Sequence, residues 1–397
     1  MLATNSVPHP HTSTTVAEEL DKVISEFNLQ DKAWFVCHDN AANMNAGGEI
    51  SMIDYHIGCF AHLLHLAVTE SIQEVPDVSL VVNRVHDFVA KFKTSGTLRS
   101  VFDQQRQFLQ AQGLNSKMEF QLDNVTRWNS IHKMLSSFCS LHQIAKVCCE
   151  ISPSFNSAFQ STPNLSSVQD IVRILEPVSK MSIMWQETTQ PILSEIYPVL
   201  FSLQSSLPSL PKTPLGNSLA KSICSNLVVR FSTSDTVFLT DMSVHVLASA
   251  IDPRPFKRLD FLTKQQRKSV TLRLKKMFDE FKPSYKEAKP KSTSLLDSFM
   301  GWDAASSTSS HSFDEEYKRF LALSPECAHC NPLQWWQRNS EAFPGLAELA
   351  YRIFAVEPTS AASERVFSAC TSLFEKKRLS LTSKNASMII FLHCNSL

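Results

Sequence analysis

Apolar side chains recur along most of the chain at the three- and four-residue spacing of an amphipathic α-helix. The first such segment predicts a helix over residues 15–28, with five apolar side chains on one side: Val16, Leu20, Val23, Ile24 and Phe27. The same period dominates from Val78 to about Leu203, interrupted by the Ser-, Pro- and Asn-rich residues 152–167. Further helices are predicted over residues 263–282, 344–356 and 360–374. The pattern therefore predicts a mostly α-helical protein.

Two short apolar runs near the N-terminus do not follow the helical period. The first run, residues 33–37, is followed by His38 and Asp39 and predicts a buried strand. The second, residues 55–59, predicts another strand, followed by a helix to about Glu74. An apolar strand that ends in an aspartate before a helix is typical of an α/β sheet, which presents polar side chains at its carboxyl edge. We therefore expect a small α/β part within the helical protein.

Composition narrows the class of protein. Only 8 of the 397 residues are glycine, against a usual share of about 7 %, which agrees with long helices. Lys and Arg balance Asp and Glu at a net charge of +0, so no global field attracts the chain to nucleic acid or membrane. The ten cysteines are not spaced as a disulfide framework and indicate a reducing compartment. Residues 1–15 have no apolar core of a secretory signal, and no apolar run is long enough to span a membrane.

One stretch departs from the neutral balance. Ten Lys and Arg between Lys264 and Lys291 face three acidic residues, an excess of seven positive charges. One interpretation is a solvated helix face followed by a linker. The other is contact with a nucleic-acid backbone, which would weaken with added salt.

Seven ordered motifs carry a resemblance to a known family. They are CHDNAANM at residues 37–44, CFAHLLHLA at 59–67, DNVTRWNSIHKML at 123–135, ASAIDPRPFKRLDFL from Ala248, PLQWW at 332–336, TSAASERVFSACTSLF at 359–374 and IIFLHCN at 389–395. In this order they resemble hAT-family transposases, in particular their domesticated BED-type zinc-finger relatives. The fourth motif is looser, because Pro255 interrupts what the family usually writes as DPRFK.

The resemblance implies an RNase H-like core that is interrupted by a large helical insertion and closed by a helical C-terminal dimerisation region. Relatives begin this core with three strands and carry a BED finger, and we expect this chain to lack both. The predicted domains are a partial RNase H-like core at 1–75, a helical insertion at 76–282, a disordered linker at 283–312, and a dimerisation region that completes the core at 313–397.

By the same resemblance, Asp39 matches the family's second catalytic aspartate and Glu364 its catalytic glutamate. Two-metal phosphoryl transfer needs several convergent carboxylates, and no strand-borne acid upstream fits the first position. We therefore expect the remnant of a DDE site that is inactive, without productively bound Mg²⁺ and without another cofactor. The alternatives are a turn-capping role for Asp39 and a favourable interaction of Glu364 with the helix dipole.

The predicted DNA-binding residues are His62, in the Cys59-x-x-His62 motif, and the dipeptide Arg127-Trp128. The resemblance places this histidine beside the active site and associates the tryptophan with a flipped base. Stacking of a base on an aromatic ring supplies about 1–3 kcal/mol. The alternatives are a structural histidine and a tryptophan packed in a helical core. Cys327 and Cys330 supply too few ligands for structural zinc, so no metal site is predicted.

The predicted dimerisation residues lie in the C-terminal region: Trp335, Trp336, Leu349, Ile353, Phe367 and Phe374. The predicted partners are a second copy of the chain and DNA or chromatin, with no membrane and no small-molecule substrate, in the nucleus. The function that the resemblance implies is that of a domesticated or degenerate, non-catalytic transposase-derived protein. Two alternatives stay open, a fragment of an active DDE transposase and a helical protein-binding scaffold without DNA affinity.

Overall fold

A computed structural model describes residues 7, 9–30, 32, 35–39, 41–53, 55–111, 119–124, 128–187, 190–231, 244–255, 259–281, 312–373 and 382–395. Two predicted site residues, Arg127 and Phe374, lie outside the described residues, as does the predicted linker apart from Ser312. Within the described ranges the chain is mostly α-helical with one small sheet, as the sequence pattern predicts. None of the described helices is long and apolar enough to cross a membrane.

The N-terminal part is a parallel βαβ unit preceded by a helix. Its elements are α1 (Ser13–Glu26), β1 (Phe35–His38), α2 (Ala42–Ile50) and β2 (Tyr55–Gly58). The two strands pair in parallel, with Phe35 opposite Tyr55 and His38 opposite Gly58. Helices α1 and α2 approach closely at Gly47, where a Cβ atom would lie 2.7 Å from Cγ1 of Val16. The two predicted strands are therefore confirmed, with β1 ending one residue beyond the predicted run.

The remaining described elements are helices. In chain order they are α3 (Phe60–Glu74), α4 (Pro76–Thr94), α5 (Gly96–Ala111), α6 (Trp128–Ile151), α7 (Pro153–Phe159), α8 (Leu165–Glu187), α9 (Leu193–Ser206), a 3₁₀ turn (Leu207–Ser209), α10 (Pro214–Phe231), α11 (Val244–Ala250), α12 (Lys264–Glu280), α13 (Phe313–Ala322), α14 (Pro332–Asn339), α15 (Pro344–Phe354), α16 (Ala361–Leu373) and α17 (Ser383–Asn395). One contiguous apolar core extends from Phe60 in α3 to Val356 after α15. The helices before and after the predicted linker thus share a core.

A buried ion pair lies in the fourth motif of the sequence. Arg254 donates to both carboxylate oxygens of Asp252, from Nε at 2.9 and 3.1 Å and from the second guanidinium nitrogen at 2.7 Å. Arg254 also pairs with Glu195 and donates to Oγ of Ser194 at 3.1 Å, both on α9. Arg254 and Asp252 are almost completely buried. This network fixes the loop after α11, which we name the Arg254 loop (residues 251–255).

The C-terminal helices pack on the Arg254 loop through backbone and indole hydrogen bonds. The indole N–H of Trp336 donates to the carbonyl of Ile251 at 3.0 Å. The backbone N–H of Glu326 donates to the carbonyl of Pro253 at 2.9 Å, and Trp335 Nε1 donates to the Glu326 carboxylate at 3.0 Å. Trp335 is 9 % exposed and Trp336 is 0 % exposed. Both tryptophans therefore anchor the C-terminal region to its own chain.

Two other predicted dimerisation residues, Leu349 and Ile353, are also buried in the core on α15. Almost none of their surface is accessible to a second copy of the chain. Any contribution of these two residues, or of Trp335 and Trp336, to a dimer would come from stabilising the region that presents the interface.

His245 on α11 is a buried polar residue in apolar surroundings. Its ring lies edge-on to Phe60 at 5.3 Å and stacks on Tyr197 at 5.6 Å. Neither ring nitrogen has a hydrogen-bond partner. Burial lowers the pKa of His245 to about 3. The folded protein therefore holds a neutral imidazole here, whereas the unfolded chain binds a proton below a pH of about 6.5.

We predict that His245→Leu reduces the acid sensitivity of folding. Since the unfolded state alone binds the proton between about pH 6.5 and about pH 3, the free energy of unfolding falls as pH falls, by about 1.4 kcal/mol per pH unit for this group. Urea unfolding of both proteins between neutral and mildly acidic pH measures the difference in slope. His329→Gln, at an exposed histidine, is the matched control and should leave the slope unchanged. Parallel pH curves for the wild type and His245→Leu would contradict the prediction.

Candidate functional site

A groove of about 190 Å³ lies where four helices converge. The N-terminal turns of α3, α6 and α16 and the C-terminal turn of α8 form its walls. The lining residues are Ala61, His62, His65, Trp128, Asn129, Ser182, Gln186, Ala361 and Glu364. The fold thus brings together three residues that the motifs single out from distant parts of the chain, His62, Trp128 and Glu364.

Helix α16 is positioned over the groove by contacts with α3 and α8. The backbone N–H of Ser360 donates to Sγ of Cys59 at 3.3 Å, and the backbone N–H of Phe60 donates to the carbonyl of Pro358 at 2.9 Å. On the other side, the guanidinium of Arg365 donates to the carbonyl of Gln186 at 2.7 Å. These bonds fix the first turn of α16, which carries Glu364.

Glu364 is exposed and accepts a hydrogen bond from Oγ of Ser360 at 3.4 Å. Glu364 also lies in the first turn of α16, where its negative charge interacts favourably with the helix dipole. This is the alternative structural role that the sequence indicates. Both roles are compatible with a carboxylate at the rim of the groove.

The polar wall of the groove is built from amides and a hydroxyl. Ser182 is buried, and its Oγ accepts hydrogen bonds from Nδ2 of Asn129 at 3.0 Å and from Nε2 of Gln186 at 2.8 Å. Oδ1 of Asn129 is buried without a hydrogen-bond partner. A buried acceptor without a partner is unfavourable, so this oxygen is an unsatisfied polar group within the wall of the groove.

Two histidines follow one another on the groove side of α3. The rings of His62 and His65 lie 6.0 Å apart. Burial, and secondarily the neighbouring His62, lowers the pKa of His65, so its imidazole is neutral at neutral pH. The groove thus combines two imidazoles with amide and hydroxyl groups, while the Trp128 indole in its wall is 3 % exposed.

Asp39 lies elsewhere, after β1, and does not line the groove. Its Oδ1 accepts a hydrogen bond from the backbone N–H of Ala41 at 3.2 Å, in the turn that leads to α2. This is the turn-capping geometry considered as an alternative from the sequence. Among the residues that the structure describes, no group of three or more His, Cys, Asp or Glu side chains is placed to hold a metal ion.

Four polar groove residues were not identified from the sequence: His65, Asn129, Ser182 and Gln186. His65 follows His62 by three residues, so helical spacing alone could have indicated the shared face. Asn129 is adjacent to Trp128. Ser182 and Gln186 carry no signal in the sequence, because their role depends on where the end of α8 packs.

Comparison with known proteins agrees with the ordered motifs. Residues 304–396 match the hAT family C-terminal dimerisation region, and residues 57–174 match the ZBED1 RNase-like helical domain. The zinc finger BED domain-containing protein RICESLEEPER 3 of Oryza sativa subsp. japonica is 20 % identical over 409 residues, an alignment that covers 91 % of this chain and 52 % of the relative. The chain spans about half the length of this curated relative.

The resemblance stated from the sequence is therefore confirmed. Two regions of the chain match the hAT C-terminal dimerisation region and the ZBED1 RNase-like helical domain, and the chain as a whole is similar to a BED-type zinc-finger protein.

We predict that Trp128→Ala lowers the free energy of unfolding much more than His62→Ala does. Trp128 is only 3 % exposed, so its truncation leaves a core cavity and lowers the free energy of unfolding by about 3–5 kcal/mol. His62 is half-buried at the groove wall, and its truncation should change stability by less than about 1 kcal/mol. Urea unfolding at pH 7 measures both values. Equal effects of the two substitutions would contradict this prediction.

Proposed function

We propose that this chain is a domesticated transposase-derived protein that self-associates through its C-terminal region, has lost strand cleavage and acts as an auxiliary DNA- or chromatin-binding factor in the nucleus. The observation that carries the proposal is an apolar surface within the region that matches the hAT dimerisation family. Phe367 is 60 % exposed, Met388 56 % and Leu392 61 %. Large apolar side chains at this exposure are the feature that a second copy would cover.

The spacing of these residues supports one continuous surface. Met388, Phe391 and Leu392 are three and four residues apart on α17, so they share one face of the helix. Helix α16, which carries Phe367, packs against α17. We name this surface the α16–α17 face. A second copy is the proposed occupant because the match to the dimerisation region covers both helices.

The domain division also belongs to this proposal. We propose that the parallel β1–β2 pair is part of an RNase H-like core, that residues 76–282 form the insertion, and that residues 313–397 complete the core. The contacts of Pro358 and Ser360 with the start of α3 support this division, because they join the C-terminal region to the segment directly after β2.

We predict that Met388→Glu combined with Leu392→Glu dissociates a wild-type dimer. Both side chains are exposed in the single chain, so the fold should tolerate the charges. In a dimer the two charges would be buried without partners, at several kcal/mol, which weakens association by about 100-fold or more. Light scattering coupled to size-exclusion chromatography at micromolar concentration measures the mass, and circular dichroism checks the fold.

The control for the dimer experiment is Val229→Glu on α10, an exposed apolar residue outside the α16–α17 face. It should leave the dimer intact. A monomeric wild type at micromolar concentration, or a dimer that both sets of substitutions leave unchanged, would sink the self-association proposal.

The surroundings of the two acids support loss of catalysis. The carboxylate of Asp39 is engaged in the turn before α2, and the other residues that line the groove at Glu364 are two histidines, two amides, a serine, a tryptophan and two alanines. Two-metal phosphoryl transfer instead requires carboxylates that converge on the ions. We therefore propose that the groove binds without cutting, and that the Mg²⁺ of the ancestral reaction is not productively held.

DNA contact is supported by the groove and by the basic helix α12. Lys264, Arg267 and Lys268 are exposed in its first half. Further along the helix, Lys275 pairs with Asp314 and Lys276 with Glu280, which neutralises part of the positive excess. The structure therefore favours a modest, salt-sensitive affinity that depends on the first half of α12.

We predict that the chain binds short DNA without cleaving it. Fluorescence anisotropy should show affinity that falls steeply between about 50 and about 200 mM salt, and Lys264→Gln with Lys268→Gln should reduce the salt slope by about 1–2. The control is Lys180→Gln, at an exposed lysine on α8. Denaturing gels of the same mixtures with Mg²⁺ or Mn²⁺ should show intact strands.

The two alternatives give different outcomes in this experiment. Strand cleavage that Asp39→Ala abolishes would favour an active transposase fragment. Absence of binding even at low salt would favour a protein-binding scaffold.

A further inference from the structure

Cys327 and Cys330 close a tight turn between α13 and α14. The backbone N–H of Cys330 donates to the carbonyl of Cys327 at 3.0 Å, which is the hydrogen bond of a β-turn. A β-turn brings its first and last Cα atoms within about 7 Å, and a disulfide requires about 4.4–6.8 Å. Cys327 is exposed, and Cys330 is half-buried against the core. The backbone hydrogen bond therefore holds the two Cα atoms close to the separation that a disulfide spans.

This turn is fixed on both sides. Before it, Glu326 contacts the carbonyl of Pro253 and the indole of Trp335. After it, the side chain of Asn331 caps α14 by accepting from the backbone N–H groups of Leu333 and Gln334 at 3.0 and 3.3 Å. The turn thus lies at the junction between the Arg254 loop and the C-terminal region, and its geometry is set by the fold.

We propose that Cys327 and Cys330 form a reversible disulfide, so that this turn is a redox modification site. The oxidant is a low-molecular-weight disulfide such as oxidised glutathione. In a reducing compartment, disulfides of this kind are typically transient and redox-sensing.

The reaction proceeds by two thiol–disulfide exchanges. The Cys327 thiol loses its proton to solvent, and its thiolate attacks one sulfur of oxidised glutathione, which releases one glutathione thiolate. The Cys330 thiol then loses its proton to solvent, and its thiolate attacks Sγ of Cys327 and releases the second glutathione thiolate. Each released glutathione thiolate takes up a proton from solvent. Two protein thiols are oxidised to one disulfide while one glutathione disulfide is reduced to two thiols.

The surroundings of the two sulfurs indicate that Cys327 reacts first and Cys330 second. Burial, followed by the negative charges of Glu326 and Cys327, raises the pKa of Cys330. The exposed Cys327 is therefore the sulfur that meets the oxidant, and Cys330 resolves the mixed disulfide. The turn belongs to no metal site in the described chain, where no group of three His, Cys, Asp or Glu ligands occurs.

The test is a redox titration of the full chain in glutathione buffers, with acid quenching, alkylation and peptide mass spectrometry. We expect the peptide that contains Cys327 and Cys330 to lose two hydrogens in a single two-electron transition. Cys330→Ser should instead accumulate glutathione on Cys327. Cys148 and Cys149 are the matched internal control, because side chains at neighbouring positions of α6 point in different directions. Both cysteines should therefore be recovered as alkylated thiols.

Three results would overturn the proposal. They are full alkylation of both thiols across the titration, a stable glutathione adduct on wild-type Cys327, and a disulfide between two copies of the chain. Thermal melting provides a second measurement, since oxidation should raise the Tm of the wild type and leave that of Cys330→Ser unchanged.

Discussion

The buried pairing of Arg254 with Asp252 is the contact around which the C-terminal half of the molecule is arranged. A guanidinium and a carboxylate inside the core depend on each other, because either one alone would be a buried charge without a partner. Their bonds fix the loop after α11 so that the carbonyls of Ile251 and Pro253 face the C-terminal helices. A motif that resembles a family signature in the sequence thus has a structural task, which is to provide acceptors for Trp336 and Glu326.

From this junction the chain returns to the N-terminal part of the protein. Pro358 and Ser360 contact the start of α3, and α16 begins directly after them. Glu364 and Phe367 are three residues apart on α16, and of the two only Glu364 lines the groove. Phe367 belongs to the exposed α16–α17 face. A shift of α16 would therefore change both the shape of the groove and the proposed contact with a second copy.

The aromatic pair Trp335–Trp336 illustrates a limit of inference from residue type. Aromatic side chains anchor protein interfaces and protein cores by the same burial of apolar area, so the sequence pattern PLQWW fits both. The structure places both rings inside the chain, with each indole nitrogen bonded to a group of the same molecule. Trp128 is intermediate, because it is nearly buried and yet forms a wall of the groove.

The sequence by itself determined the helical character, the two strands and the family resemblance, because periodicity and motif order are properties of short stretches of chain. It also identified His62, Trp128 and Glu364 one by one, each within its own motif. Only the tertiary structure decided that these three share a groove, that Asp39 does not line it, and that Ser182 and Gln186 complete its polar wall. The reason is physical: the groove depends on contacts between segments as far apart as Cys59 and Ser360, which are separated by 301 residues. Local spacing specifies which residues form a face, whereas packing decides which faces meet and which remain exposed.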